Sequence, residues 1–187
     1  MKPEIKFTER ILPLSLTVVL ASIDQIVKGI IVKNWPIPSF SNYAFIKDVF
    51  DNDFLQIIHV RNKAIAFSMG QGIPDGIKPV LFIVLPLLVL IALLVYYLRS
   101  NDFTLLQRWA TAGILGGGIG NIIDRIFRPD GVVDFISVKF YGILGFERWP
   151  TFNVADSSVV VCCILLFLTI IISSIKSGAK KNNEQKN

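Results

Sequence analysis

Residues 116–156 read GGGIGNIIDRIFRPDGVVDFISVKFYGILGFERWPTFNVAD and join two long apolar segments of the chain. The stretch contains five carboxylates, and we predict that three of them, Asp124, Asp134 and Asp156, lie at or near the same edge of a membrane. An ionised acid in that setting lacks full hydration and is costly unless it is paired. We therefore take the three acids as a candidate functional site and interpret the rest of the chain around them.

The composition indicates an integral membrane protein. Apolar residues make up 52% of the 187 residues, the mean hydropathy is +0.58, and the apolar residues are bunched into long segments. The formal net charge of +5 would favour a nucleic-acid partner in a soluble chain. Here the basic residues crowd the ends of the apolar segments, as membrane anchors do. We therefore expect a lipid bilayer as partner and no nucleic acid.

The apolar segments predict a single membrane domain over residues 1–187, all-α, with four transmembrane helices. Each segment has roughly 20 residues, the length that crosses a bilayer. The predicted spans are 11–32, 79–98, 105–126 and 157–175. Pro, Asn and Asp between short alternating runs predict a small β-containing element at 33–78, between the first two spans.

The remaining segments predict the orientation of the chain. Residues 128–155 form a second loop, in which 132–140 fit either a strand or a re-entrant piece, and residues 176–187 form a tail. Basic residues are denser on the side of the termini and of the short turn after residue 98. The termini and the tail are therefore expected in the cytoplasm. On the extracytoplasmic side we expect the element at 33–78, the loop at 128–155 and the three carboxylates.

Polar residues inside two of the spans extend the candidate site. In the first span, Asp24 and Lys28 are spaced i and i+4, which brings two helical side chains together on one face. They form either an interfacial pair or a support for the site. In the third span, small residues recur every three or four positions up to Asn121 and Asp124, so a neighbouring helix can approach closely. These positions are Ala110, Gly113, Gly117 and Gly120.

The chain offers little for metal or thiol chemistry. Its one histidine, His59, has no visible partners and is predicted to be a solvated strand residue. Its two cysteines, Cys162 and Cys163, are adjacent inside an apolar run, which is poor spacing for a metal site or a disulfide. We expect neither a metal nor another cofactor.

Carboxylates held close together point to acid–base chemistry. Like charges in a low-dielectric site raise one pKa, so that the pair shares one proton. The ionised acid then takes a proton from water while the protonated acid donates to the carbonyl oxygen or the leaving amine, which is aspartic peptide hydrolysis without an acyl-enzyme. No convincing Ser/His, Ser/Lys or His-based zinc motif competes for this role.

The neighbours of the three acids favour one pair. Asp124 precedes Arg125 and lies where Lys28 is in reach, so an ion pair suits it. Asp134 and Asp156 have apolar neighbours and no adjacent cation, which mildly favours them as the dyad. For Asp156 an alternative stays open, because an acid before two serines at a helix start is a good N-cap.

Five motifs in order resemble the signal peptidase II family, the lipoprotein signal peptidases. They are Asp24 with Lys28, NKAIAFS, GNIIDR, VVDF and FNVAD. The resemblance implies that the catalytic pair is Asp134 and Asp156. It implies substrate contacts at Asn62, Asn121, Arg125 and Asn153, with Asp24, Lys28, Asp124 and Phe67 in supporting positions. The chain departs from the family at Ala64, where a glycine is usual.

The resemblance also implies a substrate and a location. The substrate is a membrane-anchored prolipoprotein whose cysteine carries a diacylglyceryl group, and cleavage falls just before that cysteine. The protein is expected to be a monomer in the bacterial inner membrane with its active site at the extracytoplasmic face.

The alternatives are a proton-coupled transporter and a non-enzymatic assembly factor. A transporter is disfavoured because the acids cluster at one edge of the membrane and because no repeat relates the two halves of the chain.

Overall fold

The computed structural model describes residues 6–35, 37, 47–49, 53–63, 73–74 and 76–184, and the side chains of these except at 47, 48 and 176–184. The helices are α1 (Phe7–Ile11), α2 (Leu14–Asn34), α3 (Leu85–Arg99), α4 (Leu105–Phe127) and α5 (Val154–Glu184). The strands are β1 (Lys47–Asp48), β2 (Leu55–Asn62) and β3 (Val132–Val138). The predicted helical fold with a small β element is confirmed.

Three helical stretches among the described residues are long and apolar enough to cross a membrane. They are Phe7–Asn34, Val80–Arg99 and Val154–Ile175. The 23 residues of α4 also have the necessary length, roughly 35 Å at the rise of an α-helix. Its composition is less apolar, since it buries Arg108 and Asp124 against the other helices. A fourth span at α4 stays a prediction.

Helix α4 lies at the centre of the bundle and packs against α2, α3 and α5. The predicted face of small residues is confirmed, with Ala110, Gly113, Gly117 and Gly120 all buried. A Cβ on Gly117 would collide with the Ala155 carbonyl at the start of α5. A Cβ on Gly120 would lie 2.7 Å from Asp24 Oδ2. Glycine at these positions therefore brings α2, α4 and α5 close together at one end of the bundle.

At that end the three strands form one antiparallel sheet in the order β1-β2-β3. Strand β3 belongs to the loop after α4, so 132–138 is a strand rather than a re-entrant piece. In the register, Val60 lies opposite Asp134, and Asn62 lies opposite Val132. The sheet packs on the end of α2 through a small core of Ile31, Val133 and Phe135.

His59 differs from the sequence prediction. It lies on β2 as expected, but it is buried rather than solvated, with Nδ1 at 2.6 Å from the Trp35 carbonyl oxygen. The sequence showed no partner for His59 because its partner is a backbone carbonyl, that of Trp35 directly after α2.

Candidate active site

Asp134 lies near the middle of β3 and is only 2% exposed. Its two carboxylate oxygens accept hydrogen bonds from two amides, Oδ2 from Asn62 Nδ2 at 2.9 Å and Oδ1 from Asn153 Nδ2 at 2.7 Å. Asn62 reaches it because the antiparallel register places the two residues diagonally on the same face of the sheet. The strand pairing therefore fixes the position of this acid.

Asp156 lies in the first turn of α5 and is partly exposed. Asn153 precedes the helix, and its Oδ1 accepts a hydrogen bond from the Asp156 backbone N–H at 2.9 Å. In return, Asp156 Oδ2 accepts one from the Asn153 backbone N–H at 3.2 Å. This reciprocal pattern is a capping box. The N-cap alternative for Asp156 is therefore wrong, because Asn153 occupies that position.

Asn153 connects the two acids directly. Its side chain donates to Asp134 while its backbone donates to Asp156. Asn121 adds a second link between Asn153 and Asp156. Its Nδ2 donates to Asp156 Oδ1 at 2.7 Å, and its Oδ1 accepts from Asn153 Nδ2 at 3.1 Å. The structure thus brings together both predicted acids and three of the predicted substrate-contacting residues, Asn62, Asn121 and Asn153.

Lys28 is the buried cation beneath this group. Its Nζ donates to Asp24 Oδ2 at 2.7 Å, to Asp124 Oδ2 at 3.1 Å and to Asn121 Oδ1 at 3.0 Å. The side chains of Lys28, Asp24 and Asp124 have no exposed surface. All three donors of the ammonium group are therefore used, and the interpretation of Asp24 and Lys28 as an interfacial pair is wrong.

The two acids around Lys28 hold the segments that carry the candidate dyad. Asp24 Oδ1 accepts a hydrogen bond from the Ala155 backbone N–H at 2.9 Å, at the start of α5. Asp124 Oδ2 accepts one from the Val133 backbone N–H at 3.0 Å, next to Asp134 on β3. These contacts fit the supporting positions predicted for Asp24, Lys28 and Asp124.

Two residues of this network were missed by the sequence analysis. Gln25 Nε2 donates to Asp124 Oδ1 at 2.9 Å, and Gln25 Oε1 accepts from Arg128 at 3.0 Å. Arg128 also pairs with Asp124, which corrects the expectation that the adjacent Arg125 does so. The signal was present, because Asp124 and Arg128 are spaced i and i+4, whereas adjacent helical residues diverge.

Arg125 instead lines an open cleft of about 340 Å³ beside the candidate dyad. Its guanidinium makes no hydrogen bond or ion pair with any described residue, and it interacts electrostatically with Asp134 and Asp156. The cleft combines polar and cationic groups with apolar ones, so it suits an amphiphilic ligand. Its lining includes Asn62, Lys63, Arg128, Pro79 and Phe82. Phe67 and Ala64 lie outside the described residues.

The environment of Asp134 favours its protonated form. Burial raises the pKa of Asp134 to about 6, and the Asp156 carboxylate adds to the rise. This rise in pKa is opposed by the hydrogen bonds from Asn62 and Asn153 and by the positive charge of Lys28. Asp134 therefore holds a proton more readily than an ordinary aspartate, while Asp156 is the member of the pair that is open to water.

The described residues contain no cluster of three His, Cys, Asp or Glu side chains arranged to hold a metal ion. The acids of the site instead bond to amides, backbone N–H groups and Lys28.

The fold and the site together define a multi-helix membrane protein with two amide-linked carboxylates at one end of the bundle. The model of the family described as signal peptidase (SPase) II matches residues 16–172. The chain therefore belongs to the signal peptidase II family and is a bacterial membrane protease.

Individual relatives agree with this assignment. A lipoprotein signal peptidase of Treponema denticola is 46% identical over 150 residues, covering 79% of this chain and 82% of the relative. One from Borreliella burgdorferi is 51% identical over 110 residues, covering 59% of this chain and 64% of the relative. A solved structure described as a bacterial membrane enzyme superposes with a TM-score of 0.71 at 29% identity, covering 97% of this chain and 96% of that one.

Proposed function

We propose that this protein is an aspartic endopeptidase that removes the signal peptide from prolipoproteins, with Asp134 and Asp156 as its catalytic pair. The observation that carries the proposal is the linkage of these two acids through Asn153, which donates a hydrogen bond to each. Membership of the signal peptidase II family and relatives named lipoprotein signal peptidase support the substrate class. These findings do not favour the proton-coupled transporter.

The two acids have different roles in the proposed reaction. Asp156 is partly exposed and acts as the base, taking a proton from a water molecule that attacks the scissile carbonyl carbon. Asp134 in its protonated form donates its proton to the carbonyl oxygen. Asp156 then passes the proton that it took from water to the leaving nitrogen, and the hydroxyl on the tetrahedral carbon returns a proton to Asp134. The C–N bond breaks, so the signal peptide gains a carboxylate and the lipoprotein gains a free amine. No acyl-enzyme forms on the protein.

The surrounding residues position the acids and the substrate. Asn62, Asn121 and Asn153 hold the carboxylates through their amides. Lys28 holds Asn121 in turn, through the bond from Nζ to Asn121 Oδ1. Arg125 makes no hydrogen bond or ion pair with any described residue, and we assign it to the peptide carbonyls of the substrate beside the cleft.

The placement of the site fits a substrate that arrives through the bilayer. The acids lie where α2 and α4 end and where α5 begins, next to a sheet that does not span the membrane. A diacylglyceryl chain can then enter laterally between helices while water arrives from the side of the sheet. We propose that this side is extracytoplasmic, that the termini are cytoplasmic and that α4 is the third of four spans in a monomer. Higher density of basic residues near the termini supports the orientation.

Cleavage of a defined precursor tests the function. We expect the purified protein in lipid bilayers to cut a prolipoprotein whose cysteine carries a diacylglyceryl group, and to leave the unlipidated precursor intact. Mass spectrometry of both products should place the cut immediately before the lipidated cysteine. Cleavage at another bond, or equal cleavage of the unlipidated precursor, would contradict the proposed specificity.

The rate should also depend on pH through Asp134. We expect kcat/KM to fall as the pH rises through about 6, because Asp134 then loses the proton that it donates. The Asn62→Ala variant removes a hydrogen bond that favours the ionised carboxylate, so its falling limb should move to higher pH. A pH–rate profile of cleavage measures both, and a flat profile through that range would exclude the role given to Asp134.

A further inference from the structure

The turn that follows β3 presents large apolar side chains to the surroundings. We call residues 141–145 the hairpin tip. Within it, Tyr141 is 62% exposed, Ile143 is 58% exposed and Leu144 is 79% exposed. Three such side chains within four residues form a patch that is unfavourable in water.

The backbone of the hairpin tip keeps these side chains outside. Tyr141 has a φ of 53° and Leu144 a φ of 55°, in the left-handed region that residues with a Cβ rarely adopt. The turn is nevertheless closed by backbone hydrogen bonds of 3.0 Å from Gly142 N–H to the Phe146 carbonyl and from Gly145 N–H to the Gly142 carbonyl. A defined loop conformation thus exposes apolar groups where glycine or a polar residue would fit more easily.

The residues behind the hairpin tip are aromatic and then charged. The Trp149 ring lies 4.9 Å from Phe140 and 5.7 Å from Phe146, centroid to centroid. Lys139 Nζ lies 5.5 Å from the centre of the Tyr141 ring and 2.9 Å from Asp53 Oδ2. The apolar tip, the aromatic rings behind it and the charged residues behind those match the order in which a bilayer changes from acyl chains to headgroups to water.

We propose that the hairpin tip inserts into the adjacent leaflet of the bilayer and anchors the sheet to it. We take the bilayer as the partner because the helices expose many apolar side chains that a bilayer would cover. These exposed side chains include Ile126 and Phe127 at the end of α4. Strand β3 connects the tip to Asp134, so the anchor holds that acid at a fixed depth. The proposal rests on the membrane location of the chain and does not depend on its peptidase activity.

A depth probe on the full-length protein tests the insertion. Cys162→Ala and Cys163→Ala remove the two native thiols, and Leu144→Cys then carries an environment-sensitive fluorophore. The matched control carries it at Asp130→Cys, in the exposed turn after α4 on the same side of the protein. Both proteins are reconstituted at one copy per lipid nanodisc, with and without spin-labelled phospholipids.

We expect the label at position 144 to emit at shorter wavelength than the label at position 130, and to be quenched more strongly by spin-labelled acyl chains. A water-like emission at position 144 without lipid quenching would overturn the proposal. Shielding of the label that appears only at several copies per disc would also overturn the proposal, because a second copy would then cover the hairpin tip. Shielding that appears only with added precursor would overturn it too, because the substrate would then cover the tip.

Discussion

The Asp134→Asn and Asp156→Asn variants should each lose cleavage of a lipidated precursor by about 10²–10⁴-fold or more, the range attributed to one general acid or base. Asparagine keeps the size of each side chain but can neither take up nor release the proton. Single-turnover rates in bilayers, at a precursor concentration above KM, measure the loss. Thermal unfolding of the same samples shows whether the fold remains.

Asp130→Asn is the matched control for these variants, since Asp130 lies exposed in the turn between α4 and β3 and is not part of the site. It should retain wild-type turnover. Asp156→Asn also weakens the capping box of α5, so we expect its free energy of unfolding to fall by about 0.5–2 kcal/mol, which the thermal unfolding of the same sample measures. If Asp124→Asn abolishes turnover and Asp134→Asn does not, the catalytic pair has been assigned wrongly.

The Lys28→Met variant should lower the free energy of unfolding by about 3–5 kcal/mol, because it leaves buried carboxylates without their cation. Methionine fills a similar volume, so the loss comes from Asp24 and Asp124 rather than from a cavity. Turnover should fall as well, because Asn121 loses the donor that orients it toward Asp156. Unfolding in mixed micelles followed by circular dichroism measures the stability.

Adding Asp24→Asn to Lys28→Met should recover part of the stability, since it removes one buried charge and retains an acceptor for the Ala155 N–H. Lys139→Met is the control, because it breaks a solvent-accessible pair with Asp53 and should change stability far less. Wild-type stability in Lys28→Met would mean that the buried ion pairs do not hold the end of the bundle together.

The helices and several site residues were accessible from sequence because their signals are local. Uncharged stretches identified α3 and α5, and the spacing of small and polar residues identified the face of α4 that packs on its neighbours. The same local rules contained two signals that were not used. The i, i+4 spacing predicts the pairing of Asp124 with Arg128, and Asn153 followed three residues later by Asp156 predicts a capping box.

The sheet was harder to predict because its pairing is not local. Asn62 and Asp134 are 72 residues apart, and only the register of β2 with β3 brings them together. Strand β3 is buried on both faces near Asp134, so it lacks the alternation that marks a half-exposed strand. The burial of His59 was missed because its partner is the backbone carbonyl of Trp35, 24 residues earlier in the chain.

The hydrogen bond from the Ala155 N–H to Asp24 joins residues 131 positions apart. During synthesis Asp24 leaves the ribosome long before Ala155, and Asp156 follows Ala155 directly. A nascent chain that has threaded its earlier helices into the membrane therefore still lacks half of the proposed catalytic pair. If Asp134 and Asp156 are the catalytic pair, docking of the last helix completes the protease, and we expect activity only after the chain's own insertion has finished.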